Sequence, residues 1–190
     1  MTKDLSVEFC GVRFPNPFVL AAAPPTDSGE MIARGFDAGW GGAVMKTLGL
    51  ESVEVNLVSP MMYGLSYEDK GLIGLENIDL ISDRDIREAL KEVEDLKKRY
   101  PDNVLIVSMM AGTESEWKEI TRRVQDAGAD MIECSFSCPH GMPEKGMGSA
   151  VGQDAELTLK RARWIVEAAK VPVLIKLTPN VTDMRPIAAM

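Results

Sequence analysis

The sequence has few of the residues that build disulfide frameworks and metal centres. It contains three cysteines and one histidine in 190 residues. An odd cysteine count with no framework spacing suits a reducing compartment, so we expect a cytoplasmic protein. Cys134 and Cys138 lie close to His140 in the segment CSFSCPHGMPEKGMG. Their spacing, Cys-x3-Cys-x-His, lacks the distant second ligand pair of structural zinc sites, and we predict no metal site.

Long apolar runs and clusters of basic residues are also lacking. The longest apolar stretches, such as residues 18–25, are far shorter than the roughly 20 residues needed to cross a bilayer. Acidic residues outnumber basic ones by 29 to 21, for a formal net charge of −8, which argues against attraction to nucleic acid or to an anionic membrane. We expect neither as a partner. No Gly/Ser-rich or Pro-rich linker divides the sequence, so residues 1–190 are predicted to form one domain.

Apolar strand patterns alternate with amphipathic helix patterns along the chain. Strands are predicted at residues 18–24, 41–47, 103–112, 130–137 and 171–179. Helices are predicted at residues 28–39, 84–100, 114–128, 154–170 and 182–190, and residues 48–83 are predicted to be irregular. This alternation is typical of a parallel sheet covered by helices.

Two architectures fit such an alternation. A doubly wound sheet usually carries G-x-G-x-x-G after its first strand, whereas the first strand here leads into AAAPPTDSG. A (β/α)8 barrel places its chemistry at the carboxyl ends of several strands, which is where Lys46, Cys138, His140 and Lys176 fall. We therefore predict an α/β fold, the N-terminal portion of a TIM (β/α)8 barrel with about five βα units. Because a full barrel has about 250 residues, we expect a chain truncated at its C-terminus.

Strand alternation predicts which side chains point into the barrel. Residues two apart on a strand share a face, which groups Val44 with Lys46, Glu133 with Ser135 and Ser137, and Leu174 with Lys176 and Thr178. A lysine on a helix-covered face would be costly, so both lysines are predicted to face the barrel mouth. Cys134 has the opposite parity and is predicted to pack in the core.

Five sequence blocks carry a resemblance to a known family. They are LSVEFCGVRFPNPFVLAAAPPT, AGWGGAVMKT, NIDLIS, SCPHGMPEKGMG and KLTPNVTD, and they occur in this order along nearly the whole chain. The chain resembles the flavin-binding barrel of NAD-dependent dihydropyrimidine dehydrogenases and, more distantly, of dihydroorotate dehydrogenases. The resemblance implies an FMN-dependent oxidoreductase that interconverts a pyrimidine base, uracil or thymine, and its 5,6-dihydro form.

The resemblance also implies roles for individual residues. Cys138 matches the general acid that protonates the pyrimidine ring carbon, and a thiol with an ordinary pKa near 8.5 is protonated at neutral pH. The positions that match FMN contacts are Ala22, Lys46, Thr47 and Lys176, and those that match substrate contacts are Asn77, Ser135, Phe136 and Ser137. The family usually has asparagine at the position of Ser135, which leaves the preferred pyrimidine open.

Further cofactors and partners follow from the resemblance alone. NAD, FAD and iron-sulfur clusters are expected only in missing segments or in a partner electron-transfer subunit, because three cysteines cannot ligate one four-cysteine cluster. An oligomer is expected. The alternatives are a dihydroorotate dehydrogenase-type flavoenzyme, a lyase that forms a Schiff base on Lys46 or Lys176, and a non-catalytic fragment. Taken alone, His140 is interpreted as a loop residue that forms hydrogen bonds.

Overall fold

A parallel sheet of five strands lies at the centre of the fold, with strand order β3-β4-β7-β8-β9. The computed structural model describes residues 3–55, 59–139 and 146–189. The strands are β1 (Val7–Phe9), β2 (Val12–Phe14), β3 (Val19–Leu20), β4 (Gly42–Leu48), β5 (Met62–Ser66), β6 (Leu72–Asn77), β7 (Val104–Met109), β8 (Met131–Ser135) and β9 (Val173–Lys176). The helices are α1 (Gly29–Asp37), α2 (Ile86–Arg99), α3 (Glu114–Asp126), α4 (Ser149–Gly152), α5 (Ala155–Ala168) and α6 (Arg185–Ala188).

The order of the strands in the sheet follows their order in the chain. A doubly wound sheet reverses direction at a switch point, whereas a barrel is wound in one direction only. The described sheet has no reversal, and α1, α2, α3 and α5 each precede the next strand of the sheet. This is the winding of a (β/α) barrel over five consecutive units, as the sequence predicts.

Two apolar layers cover the two faces of the sheet. The inner layer packs around Val44, Ile106 and Met131, and Phe14 from the β1–β2 hairpin closes it at the amino end. The outer layer packs the helices against residues such as Met45, Leu105 and Ile132. Adjacent strand residues therefore contribute to opposite layers. On the inner face, the apolar residues are followed by polar ones at the carboxyl ends of the strands.

The helices begin where capping side chains satisfy their first N–H groups. Ser28 accepts from the N–H of Met31 at the start of α1, and Asp154 accepts from Leu157 at the start of α5. Thr113 and Glu116 form a capping box at the start of α3. These caps explain why the predicted starts of α1, α3 and α5 agree with the observed ones within about one residue. No helix among the described ranges is long and apolar enough to span a bilayer.

The prediction of an irregular segment at residues 48–83 is wrong in part. This segment contains the antiparallel hairpin β5–β6, whose register runs from Met62 opposite Asn77 to Ser66 opposite Leu72. Both strands carry large apolar side chains that stay exposed, including Leu72 and Leu75. Because neither face of the hairpin is buried, the strands lack the alternation of apolar and polar residues by which a half-buried strand is recognised.

The layered packing predicts very different costs for the same substitution in two helices. Val93 in α2 is 0% exposed in the outer layer, whereas Val166 in α5 is 60% exposed. We expect Val93→Ala to lower the free energy of unfolding by about 2 kcal/mol, because two buried methyl groups are lost and a cavity remains. Val166→Ala is the matched control and should change it by less than about 0.5 kcal/mol. Urea denaturation of both variants measures the difference, and equal values would contradict the assigned packing.

Candidate active site

A cavity of about 190 Å³ lies at the carboxyl ends of the sheet strands. Seven of the predicted site residues line it: Ala22, Lys46, Thr47, Ser135, Ser137, Cys138 and Lys176. A larger cavity of about 300 Å³ lies nearby at the start of α2. The arginines of that larger cavity are paired, Arg84 with Glu92 and Arg87 with Asp85, and its lining includes none of the predicted site residues.

A bulge in β4 turns two consecutive residues toward this cavity. Met45 pairs with Val107 and Leu48 pairs with Met109, so β4 uses one residue more than β7 over the same interval. Met45 and Leu48 both pack in the outer layer. Between them, Lys46 and Thr47 both line the cavity, which strict alternation would not allow. The hydroxyl of Thr47 lies 2.9 Å from that of Ser108, the inward residue at the end of β7.

Lys46 enters the mouth as an almost buried ammonium group. Its side chain is 9% exposed, and its Nζ lies 3.2 Å from Oδ1 of Asp79 and 3.7 Å from Oδ2 of Asp27. Burial of a charge is favourable only when it is paired, which these two carboxylates provide. Lys46 faces the mouth as its strand parity predicts.

Lys176, at the end of β9, is also paired with a carboxylate. Its Nζ donates to Oε1 of Glu133 at 2.6 Å. Glu133 is buried and lies opposite Leu174 in the parallel pairing of β8 with β9. The inward parity predicted for Glu133 and Lys176 is therefore confirmed.

Ser82, in the loop that precedes α2, forms hydrogen bonds to β4 and to Asp27. Its N–H donates to the carbonyl of Thr47 at 2.9 Å, and its hydroxyl donates to Oδ1 of Asp27 at 2.6 Å. The guanidinium of Arg84 donates to the backbone carbonyl of Asp27 at 2.9 Å and makes two bonds of 2.6 Å to Glu92. These contacts fix the backbone around Asp27 from both sides.

Glu92 in α2 also holds the start of α1. Its Oε2 accepts from the N–H of Gly29 at 2.8 Å. A Cβ at position 29 would lie 2.9 Å from the Cβ of Glu92, so glycine is needed for this close approach of the two helices. The bidentate bond from Arg84 holds the pKa of Glu92 below its ordinary value, and the bond from Gly29 lowers that pKa further.

The two cysteines of strand β8 and its following loop occupy different environments. Cys134 is fully buried in the outer layer, where burial and the charge of Glu133 raise the pKa of its thiol. Cys138 is half-buried, lines the cavity and packs against a small apolar cluster of Ile81, Met110 and Met147. Cys134 is therefore a packing residue, as its parity predicts, and Cys138 is the thiol at the mouth.

Two predicted substrate residues do not line the cavity with their side chains. Phe136 is fully buried in the outer layer, edge-on to Trp117 with ring centroids 5.7 Å apart. Asn77 is exposed at the end of β6, and its Oδ1 accepts from the N–H of Asp79 at 2.8 Å. His140 lies outside the described residues, whereas Ser135 and Ser137 lie at the cavity as expected.

The structure adds four polar residues that sequence reasoning did not place in the site. They are Asp27, Asp79, Ser108 and Glu133. Strand parity could have identified Ser108, two residues after the inward Ile106, and it groups Glu133 with Ser135. Asp27 and Asp79 come from loops, where no periodic pattern marks them. No group of three or more histidine, cysteine or acidic residues that could hold a metal ion occurs in the described ranges.

A parallel sheet wound in chain order, with polar side chains gathered at the carboxyl ends of its strands, defines a (β/α)-barrel enzyme site. The chain belongs to the dihydroorotate dehydrogenase family, whose model matches residues 4–190. This family has a TIM-barrel flavoenzyme fold and its enzymes bind FMN. The predicted fold class and family are thus confirmed.

Similar curated proteins include two dihydropyrimidine dehydrogenases. The chain is 48% identical over 188 residues to the NAD-dependent dihydropyrimidine dehydrogenase subunit PreA of Escherichia coli K12, covering 99% of this chain and 45% of that protein. It is 46% identical to the chloroplastic dihydropyrimidine dehydrogenase (NADP(+)) of Arabidopsis thaliana, covering 95% of this chain and 44% of that protein.

A more distant relative is the catalytic subunit of dihydroorotate dehydrogenase B (NAD(+)) of Pyrococcus abyssi. Identity to this protein is 32% over 181 residues, covering 95% of the chain and 56% of the relative. The chain therefore spans about half the length of the curated relatives it matches.

The Glu92 contacts predict a pH-dependent contribution to stability. The folded pKa of Glu92 is lowered, so the unfolded chain, with a carboxyl pKa of about 4.3, binds more protons in acid. The stabilisation is present above that value and is lost as the pH falls through the folded pKa. We expect Glu92→Gln to be less stable than the wild type at pH 6, and the difference to shrink below about pH 4.

Urea denaturation at a series of pH values measures this difference. Glu30→Gln is the control, because it removes an exposed ion pair with Arg34 and should change stability little at any pH. A difference between wild type and Glu92→Gln that stays constant from pH 6 to pH 3 would contradict the role assigned to Glu92.

Proposed function

We propose that the protein is an FMN-dependent oxidoreductase that interconverts a pyrimidine base and its 5,6-dihydro form, as the flavin barrel of a dihydropyrimidine dehydrogenase. The observation that carries the proposal is the meeting of Cys138 with Lys46, Thr47 and Lys176 at one cavity. The identity of 48% and 46% to two dihydropyrimidine dehydrogenases supports the same reaction.

The cavity residues fit a flavin ring. Ala22 presents only a methyl group, which leaves room for a flat ring. Lys46 and Lys176 offer cations from β4 and β9. The hydroxyl of Thr47, the residue after Lys46, adds a hydrogen-bonding group to the same cavity. A cation fixed beside the ring stabilises the negative charge that the ring gains on reduction. When bound, FMN would accept or supply the hydride.

Cys138 would handle the proton that accompanies the hydride. In pyrimidine reduction its thiol donates a proton to the ring carbon, and in the reverse direction its thiolate removes that proton. Ile81, Met110 and Met147 pack around the residue and keep one side of it away from water.

Asn77 would donate to a substrate oxygen. The N–H of Asp79 needs an acceptor and finds it in Oδ1 of Asn77 at 2.8 Å, which fixes the orientation of the carboxamide. One of the two acceptor positions of Oδ1 is thereby used, whereas the amide nitrogen keeps both of its donors for a ligand. It can only donate, so it suits a ring carbonyl of a pyrimidine.

Two other functions lack this support. A Schiff-base lyase needs a lysine nitrogen open to a carbonyl carbon, and Nζ of both Lys46 and Lys176 contacts carboxylates instead. A dihydroorotate dehydrogenase acts on a ring that carries a carboxylate, and its catalytic subunit shares less identity with this chain. We further propose a cytoplasmic location and a partner subunit that carries NAD and FAD.

The proposal predicts a flavin that responds to dihydropyrimidines. The full-length gene product should take up FMN, and anaerobic dihydrouracil or dihydrothymine should bleach the flavin absorbance near its visible maximum. Cys138→Ala should bind FMN equally well but lower the rate of bleaching by about 10² to 10⁴-fold, because general acid-base catalysis is lost. A protein that takes up no FMN, or bleaches with dihydroorotate alone, would overturn the proposal.

The orientation of Asn77 predicts an asymmetric response to substitution. Asn77→Asp keeps an oxygen for the N–H of Asp79 but replaces the donor with a second acceptor, so uracil binding should weaken roughly 10-fold to 100-fold. Thermal stability should change less than in Asn77→Ala, which leaves the N–H of Asp79 without its acceptor. Isothermal titration with uracil and thermal unfolding measure the two effects. Unchanged uracil affinity in Asn77→Asp would exclude the donor role.

A further inference from the structure

Lys46 is surrounded by more negative charge than one ammonium group neutralises. Two carboxylates, those of Asp27 and Asp79, lie within 4 Å of its Nζ. We propose that Asp27 is a positioning residue that sets the position of the Lys46 ammonium and limits the positive charge it presents to the flavin. The proposal deepens the flavin chemistry proposed above and rests on it.

The carboxylate of Asp27 is oriented by groups other than Lys46. The hydroxyl of Ser82 donates to its Oδ1 at 2.6 Å, which leaves Oδ2 directed to Lys46 at 3.7 Å. Ser82 is itself held by its bond to the carbonyl of Thr47, the residue after the lysine. The carboxylate of Asp27 is therefore preorganised beside the ammonium of Lys46. Ser82 contacts both the carboxylate and the backbone next to the lysine.

The structural role of this region does not depend on the negative charge of Asp27. Arg84 binds the backbone carbonyl of Asp27, and Glu92 binds the N–H of Gly29. Both contacts persist when the side chain becomes neutral. Asn at position 27 has the same shape and still offers an oxygen to Ser82, so Asp27→Asn removes the charge and the ion pair with Lys46 while keeping these other contacts.

Asp79 makes the shorter contact and keeps Lys46 at the mouth when Asp27 is neutral. Its Oδ1 lies 3.2 Å from Nζ, within hydrogen-bond distance, whereas the contact of Asp27 is longer. Asp27 is thus the carboxylate whose charge exceeds what is needed to pair the lysine. In a partly buried cluster such an excess charge acts strongly on its neighbours, because little water screens it.

The sign of the effect on the cofactor follows from these charges. Reduction adds negative charge to the flavin, which the ammonium of Lys46 favours and the carboxylate of Asp27 opposes. Removing the charge of Asp27 should make the flavin easier to reduce. Asp27 therefore keeps the reduced flavin a stronger hydride donor, which suits reduction of a pyrimidine ring.

The first experiment measures the midpoint potential of FMN in the full-length gene product by equilibration with a redox dye. Asp27→Asn should shift the potential to a more positive value, and Asp27→Glu, which restores the charge, should return it toward the wild type. Asp83→Asn is the matched control, because it makes the same change at an exposed position of the loop near Ser82 and should cause no shift. An unshifted potential in Asp27→Asn overturns the proposal.

A second experiment needs no flavin and separates this proposal from the proposed function. In flavin-free protein, acetylation of Lys46 by acetic anhydride should rise several-fold in Asp27→Asn, because one of the two groups that hold Nζ is weakened. The exposed Lys98 is the internal reference in peptide mass spectrometry and should not change. Equal labelling of Lys46 in both proteins overturns the positioning role. A protein that binds no FMN but shows the increase contradicts the proposed function alone.

Discussion

The pairing of the two strand-end lysines with carboxylates is the constraint on which the mouth of the barrel depends. A flavoenzyme needs cations beside its ring, yet an ammonium group at the end of an apolar strand is unfavourable without a partner. Asp79 and Glu133 supply such partners for Lys46 and Lys176. Each partner comes from a different part of the chain, one from a loop and one from a strand. The fold must therefore bring the loop to the sheet before Lys46 is stable in its place, whereas Lys176 needs β8 beside β9.

The bulge in β4 shows how the backbone adapts to this need. Regular alternation would place Thr47 among the outer apolar residues, where Met45 and Leu48 pack. One extra residue lets Lys46 and Thr47 both face inward while the apolar residues on either side keep their positions. The bulge thus brings the ammonium and the hydroxyl to the same cavity without disturbing the helix-facing core.

Strand periodicity made much of this arrangement predictable from the sequence. The inward faces of β8 and β9 followed from residues two apart, and the apolar character of both layers followed from the strands themselves. The β5–β6 hairpin was missed because both of its faces are exposed and apolar. Asp27 and Asp79 were missed because loops carry no period. Their roles depend on contacts between distant residues: Asp79 meets Lys46 across 33 positions, and Asp27 meets Ser82 across 55.

The loop after β6 connects the proposed substrate ligand to the residues around Lys46. Asn77, the proposed donor to the pyrimidine, accepts from the N–H of Asp79, and the carboxylate of Asp79 holds Lys46. Three residues later, Ser82 binds both Asp27 and the backbone of Thr47. A displacement of this loop would move Asn77, the proposed substrate ligand, together with Asp79 and Ser82, which hold Lys46 and Asp27. In the proposed function, pyrimidine binding and the charge balance at the flavin would therefore be coupled through one short stretch of backbone.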